Sequence, residues 1–199
     1  MSGIIGDNVG RSSGLVKAAS GGAVPDWERI SHQTASDDTE IDFTSFSADY
    51  IDFKIMATKY VQASEVDLYF RLSVGGTFQD GANDYHYTFL GYDEDGLEQR
   101  LNSTGASEIK TNSSTLGSSI GNGEVAGFEW IIYDVHSTSY QTISSFKIYY
   151  MTPNAGDMEF THGAARIDQA SSAVDGVRIY ASSGNIDVGE FTLYGRKIT

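Results

Sequence analysis

The chain has 199 residues, of which 40% are hydrophobic and 20% charged, with no cysteine and a formal net charge of −14 at pH 7. This composition excludes a disordered chain, a disulfide scaffold and a thiolate-held metal, and no apolar run approaches the roughly 18 residues of a membrane helix. The acidic balance also argues against nucleic acid as the main partner, because phosphate binding requires a basic surface. We expect one soluble domain without membrane insertion.

The first 24 residues differ in composition from the remainder of the chain. They are rich in glycine, contain no aromatic residue and are slightly basic, so they cannot bury enough apolar area to fold alone. Two interpretations stay open, a disordered tail or an extended arm that orders against a partner. In the second, small apolar pairs fill shallow pockets and two basic residues meet acids of the partner. The candidate anchoring residues are Ile4, Ile5, Arg11, Leu15, Val16 and Lys17.

Short segments of alternating apolar and polar residues follow one another from Trp27 onward. The clearest is 66–74, where Val66, Leu68, Phe70, Leu72 and Val74 fall on one side and polar residues on the other. Period-two alternation predicts antiparallel strands with one wetted face. The predicted strands are 26–32, 40–44, 50–57, 66–74, 85–90, 128–132, 146–150, 158–166, 177–181 and 191–194.

Strands of this kind bury their apolar faces when two sheets pack against each other. We therefore predict an all-β, antiparallel two-sheet β-sandwich of jelly-roll type over residues 25–199, preceded by the arm 1–24. The predicted core consists of Ile51, Phe53, Leu68, Phe70, Leu72, Phe128, Trp130, Ile132, Phe146, Ile148, Ile179, Phe191 and Leu193.

Residues 93–124 interrupt the succession of strands. They are polar and rich in Ser, Asn and Gly, with a weak strand pattern only around 108–111. A structureless stretch of this length is uncommon in a compact domain and is often functional. We expect a long loop that takes part in contacts.

Several segments resemble a jelly-roll domain found in virion proteins of tailed, often marine, bacteriophages. The stretches 177–186 and 189–195 resemble its closing hairpin, and 27–31, 34–36 and 41–44 its opening strands. Segments 50–55, 66–74 and 85–87 fit its middle, and the opening GDNVGRSSGLVKA is similar to glycine-rich starts in phage fibre-like proteins.

This resemblance implies a non-enzymatic structural protein, without a cofactor, displayed on the virion surface. Such a protein is a capsid decoration (cement) protein or a module of a tail or head fibre, and domains of this group are usually homotrimers. The implied partners are the major capsid or tail proteins. No coiled coil, collagen-like stretch or β-helical repeat is present to form a fibre shaft.

Tyrosines on the polar sides of strands are the best lead to a binding surface. We single out Tyr69, Tyr92, Tyr133, Tyr149 and Tyr180, among further such tyrosines that include Tyr60. Cross-strand packing explains them without a function; a subunit interface and sugar stacking against a host surface glycan are the functional alternatives. The glycan alternative describes a lectin-like receptor-recognition tip.

Enzymatic and metal sites have weaker support. Residues 117–121, Gly-Ser-Ser-Ile-Gly, have the Gly-x-Ser-x-Gly spacing, but they lie in a polar stretch and not between a strand and a helix, as a nucleophile elbow requires. The four histidines show no metal-binding spacing, and a pair of acids suitable for a glycosidase arises by chance among 27. A hydrolase or depolymerase is therefore the weakest alternative. Asp93, Asp95 and Glu98 resemble half of a calcium loop, but we favour the simpler interpretation, an acidic surface turn.

Overall fold

The computed structural model describes residues 27–153, 157–168 and 172–197, so the predicted arm and its anchoring residues lie outside the described residues. In this part the chain forms thirteen strands and one 3₁₀ turn, Ile120–Asn122. The strands are β1 (Glu28–Asp38), β2 (Glu40–Thr44), β3 (Tyr50–Gln62), β4 (Leu68–Val74), β5 (Thr77–Phe78), β6 (Tyr85–Asp93), β7 (Glu98–Ala106), β8 (Ile109–Lys110), β9 (Ala126–Tyr133), β10 (Ile143–Met151), β11 (Met158–Ile167), β12 (Val174–Ala181) and β13 (Ile186–Lys197).

The strands form two antiparallel sheets that pack face to face. The larger sheet has the order β1-β13-β3-β9-β10-β11-β6-β7, and the smaller has the order β2-β12-β4-β5, with β8 also paired to β4. The predicted class, an all-β jelly-roll sandwich, is confirmed. Over the described ranges, no helix has the length and apolar character needed to span a membrane.

Alternating residues of both sheets meet in one core between them. On β9, Phe128, Trp130 and Ile132 are buried while the intervening residues are half-buried. The ring of Phe70, from the smaller sheet, stacks on Trp130 of the larger sheet with centroids 4.3 Å apart. The predicted core residues are buried except Ile51, which is half-buried near the start of β3.

A backbone irregularity in β3 explains one wrong expectation. Tyr60 was expected on a polar strand face but is 1% exposed. Lys59 has a φ of 54°, and the pairing of β3 with β9 shifts register between Ala57 and Tyr60. The extra residue of this bulge turns the Tyr60 side chain into the core.

The segment 93–124 is not the long free loop that its composition predicts. Residues 98–106 form β7, an edge strand paired with β6, and 109–110 pair with β4 as β8. The composition misleads because β7 is an edge strand in which Leu101 is the single large apolar residue and the other side chains are small or polar.

The next residues, 111–125, form hydrogen bonds on the sides of both sheets. The Leu116 N–H donates to the Val66 carbonyl at 3.1 Å, and the Gly117 N–H to the Met151 carbonyl at 2.8 Å. The buried Glu124 carboxylate accepts the N–H groups of Ser118 and Ser119 at 3.0 and 2.9 Å. This segment therefore connects the two layers of the sandwich.

Candidate functional site

A row of small side chains crosses the outer face of the larger sheet. Ser145 on β10 pairs with Ala164 on β11, Ala164 with Thr88 on β6, and Thr88 with Asn102 on β7. With neighbouring strands about 4.8 Å apart, this row is about 15 Å long. It forms the floor of a depression between two rows of larger side chains, which we call the outer groove.

The two walls of the outer groove come from the neighbouring positions on the same strands. One wall is the cross-strand row Lys147, His162, Leu90 and Arg100, and the other is the row Tyr133, Ile143, Arg166 and His86. Three adjoining depressions of about 540, 530 and 520 Å³ share lining residues along this path. The outer groove therefore runs across the strands, not along them.

Aromatic rings lie next to the His162 wall. Tyr149 and Phe160 are direct cross-strand partners whose rings stack with centroids 4.9 Å apart, and Phe160 lies 5.5 Å from the His162 ring. Tyr149 is 53% exposed, and Tyr92, the partner of Phe160 on β6, is 41% exposed. Three of the tyrosines singled out from the sequence, Tyr92, Tyr133 and Tyr149, thus share this face.

Ion pairs of moderate length surround the outer groove. The Glu129 carboxylate lies 3.9 Å from the Lys54 ammonium and 3.8 Å from that of Lys147. Arg100 pairs with Glu98, and the hydrogen bond that it donates lowers the pKa of that carboxyl. The wall that contains Lys147 and Arg100 therefore carries ion pairs at both of its ends.

Asp168 makes the corresponding pairs beside the opposite wall. Its carboxylate lies 3.4 Å from His86 and 3.6 Å from Arg166. The hydrogen bond with His86 is the main cause that lowers the pKa of Asp168, followed by a further bond from Gln141. The Asp168 carboxylate consequently stays ionised and holds both basic side chains at this end of the groove.

Polar groups of the floor and walls are available to a ligand. Among the described residues, the side chains of Thr88, Asn102 and His162 form no hydrogen bond with one another or with the remaining structure. The Tyr133 hydroxyl lies 2.8 Å from the Ser145 hydroxyl at the edge of the floor. An amide, an imidazole and hydroxyls on neighbouring strands can therefore donate hydrogen bonds to a ligand and accept them from it.

The outer face of the smaller sheet has a different character, because its aromatic and charged side chains pack against one another. Tyr69 and Tyr180 meet edge to face at 5.6 Å, and the Arg71 guanidinium lies 5.1 Å from the Tyr180 ring. Arg178 forms two hydrogen bonds with Asp42 and lies 4.2 Å from the Phe78 ring. The structure therefore separates the five candidate tyrosines onto two faces.

Sequence reasoning missed the basic wall and the floor. His162 and Arg100 were not singled out, since β7 was not predicted and a lone histidine in a strand has no distinctive spacing. The alternation of Arg100, Asn102 and Thr104 in 98–106 is the signal that could have identified β7 as a strand with these side chains on its outer face. Pairing across strands, which a single sequence does not contain, brings them beside His162.

The acids of the candidate calcium loop have other partners. The Asp93 carboxylate accepts the Leu97 N–H at 2.7 Å within the turn between β6 and β7, and Glu98 pairs with Arg100. Over the ranges that the structure covers, no group of three or more histidine and acidic side chains is arranged to hold a metal ion. These contacts account for Asp93 and Glu98 as parts of an acidic turn.

No family model and no curated protein matches this chain. Among solved structures it is similar to an exo-inulinase from Aspergillus awamori, with 15% identity, a TM-score of 0.36, and coverage of 85% of this chain but only 28% of the inulinase. It is also similar to toad ovary galectin, solved with thio-digalactose, with 11% identity, a TM-score of 0.32, and coverage of 78% and 98%.

Proposed function

We propose that this chain is a non-enzymatic binding domain that recognises a glycan through the outer groove. The observation that carries the proposal is a groove with a floor of small side chains, exposed rings, and polar side chains that have no hydrogen-bond partner among the described residues. Sugar hydroxyls suit the Asn102 amide and the His162 imidazole. The apolar faces of sugar rings suit packing on Tyr149 and Phe160.

The position of the acidic side chain in the groove favours binding over catalysis. Glycoside hydrolysis uses two carboxyl groups that flank the scissile bond. Among the described side chains that line the outer groove, Glu129 alone is a carboxylate, and it lies between two lysine ammonium groups. This position suits charge neutralisation.

A substitution that fills the floor tests the proposal. Ala164 is exposed on the floor, so Ala164→Trp should obstruct the outer groove without removing a core contact. The matched control is Ala63→Trp, at an exposed position after β3. On an array that holds neutral and acidic oligosaccharides, we expect the wild type and the control to bind and Ala164→Trp to lose binding. Equal binding by all three proteins, or by none, would contradict the proposal.

The sequence resemblance supports a second, compatible proposal, that the sandwich is displayed on a bacteriophage virion. In this proposal it serves as a capsid decoration protein or as a fibre module, and the arm 1–24 attaches it to a major capsid or tail protein. A homotrimer belongs to the same proposal. The glycan-binding function then makes the domain a receptor-recognition tip.

A further inference from the structure

The walls of the outer groove have a charge balance opposite to that of the whole chain. Among the described side chains that line the groove, Arg100, Lys147 and Arg166 are cationic and Glu129 is anionic, so the balance of the lining is positive by two. Glu98 and Asp168, which pair with Arg100 and Arg166, lie beside that lining. The chain as a whole carries a formal charge of −14. A surface of this kind attracts anions to one face of a protein that otherwise repels them.

The basic side chains are also exposed enough to change partners. The Arg100 side chain is 77% exposed and that of Lys147 is 58% exposed. Ion pairs between exposed side chains contribute little to stability, so their dissolution in favour of a new anion costs little. The guanidinium group can then receive a carboxylate or a sulfate through two parallel hydrogen bonds.

The positions of these groups indicate a linear ligand. Lys147, His162 and Arg100 lie on one wall, with Leu90 between the last two, and Arg166 and His86 lie on the other wall across the floor of small side chains. A chain that lies along the floor would pass a basic side chain at each of the four strands β10, β11, β6 and β7. We propose that the ligand of the outer groove is a linear acidic polysaccharide whose carboxylate or sulfate groups bind Arg100 and Lys147; this inference rests on the glycan-binding function.

The test compares three polymers in affinity electrophoresis of the full chain. Polygalacturonate carries carboxylates, dextran sulfate carries sulfates, and dextran is neutral. We expect one or both acidic polymers to retard the protein more than dextran does, and the retardation to weaken between 0.1 and 0.5 M NaCl. The double variant Arg100→Gln with Lys147→Gln should weaken binding at least about tenfold, whereas Lys59→Gln, an exposed lysine away from the groove, should not.

The other outcomes separate the inference from the function on which it rests. Dextran binding that equals acidic binding and is unchanged in the double variant would overturn the acidic ligand but retain glycan recognition. Equally strong retardation by single-stranded DNA would overturn the inference, because the groove would then respond to charge alone. Binding of none of the polysaccharides, together with a blank array, would overturn both.

Discussion

Single aromatic side chains join the two sheets. Phe70 is fully buried, stacks on Trp130 and contacts Phe128, at a centroid distance of 5.1 Å, from the opposite sheet. We predict that Phe70→Ala lowers the free energy of unfolding by about 3–5 kcal/mol, because it removes the ring and leaves a cavity. Urea denaturation measures this loss, and Leu97→Ala, at a position 63% exposed, should change little. Equal midpoints for the two variants would contradict this account of the core.

Asp157 gives a prediction with a defined pH dependence. Its pKa is raised, first by desolvation and then by the negative charges of Glu94 and other nearby acids. Ionised Asp157 therefore disfavours the folded state at pH 7, and this effect disappears as the pH falls through the raised pKa and below the ordinary range of aspartate. Asp157→Asn should raise the urea midpoint at pH 7 but not at pH 3.

The control for this comparison removes the same charge elsewhere. Asp80 is exposed before β6, and Asp80→Asn should shift the midpoint at pH 7 by less than Asp157→Asn does. A gain that is equal in the two variants would assign the effect to net charge. A gain by Asp157→Asn that persists at pH 3 would show a cause other than ionisation.

At the scale of elements, one buried carboxylate holds the backbone of the segment 111–125 in place. Glu124 is 5% exposed and accepts two backbone N–H groups. Glu124→Ala should destabilise the protein by about 1–3 kcal/mol, because it leaves the half-buried N–H groups of Ser118 and Ser119 without a partner. Faster amide hydrogen exchange at Ser118 and Ser119 is the specific readout. Glu65→Ala, in an exposed loop, should leave that exchange unchanged, and slow exchange in both variants would contradict the role of Glu124.

Elements differ in how well the sequence predicts them. The alternation of β4 and β9 identifies each strand and its buried side, since both strands bring large apolar residues into one core. In β7 only Leu101 brings a large apolar side chain toward the core, so the alternation of this strand is a weak signal in a sequence that otherwise resembles a loop. The bulge at Lys59 is a local backbone event that moves Tyr60 from the predicted face to the core.

The sequence likewise predicts only some residues of the candidate site. The tyrosines Tyr92, Tyr133 and Tyr149 could be singled out because exposed aromatic residues are distinctive in sequence. Their placement beside Arg100 and His162 could not, because it depends on the register of five strands separated by loops of different lengths. The separate location of Tyr69 and Tyr180 depends on which strands join which sheet.

For the whole molecule, the proposed homotrimer makes a direct prediction. A net charge of −14 opposes association at low salt, so a trimer must bury enough apolar and tyrosine surface to overcome repulsion. We expect sedimentation equilibrium at micromolar concentration to give three times the 21.6 kDa chain mass, with tighter association at 0.5 M NaCl than at 0.05 M. A single species of the chain mass under both conditions would contradict a trimer that forms off the virion.

The proposed attachment through the arm is tested at the same scale. Deletion of residues 2–22 should leave a folded sandwich, because the described core, from Ala35 to Leu193, is formed by the two sheets. We expect the truncated protein to bind glycans like the full chain but to be absent from purified particles. Incorporation at the wild-type copy number would place the attachment on the sandwich itself.

The position of β13 has a consequence for biosynthesis. This strand lies between β1 and β3, and its pairing places Gly195 opposite Glu28. At about 5–20 residues per second, the ribosome makes Gly195 roughly 8–33 s after Glu28. During that interval β1 is an unpaired strand, which is the kind of edge that promotes association with other chains. We therefore expect the larger sheet to close only after translation has passed residue 197, and the acidic charge of the nascent chains to keep neighbouring copies apart until then.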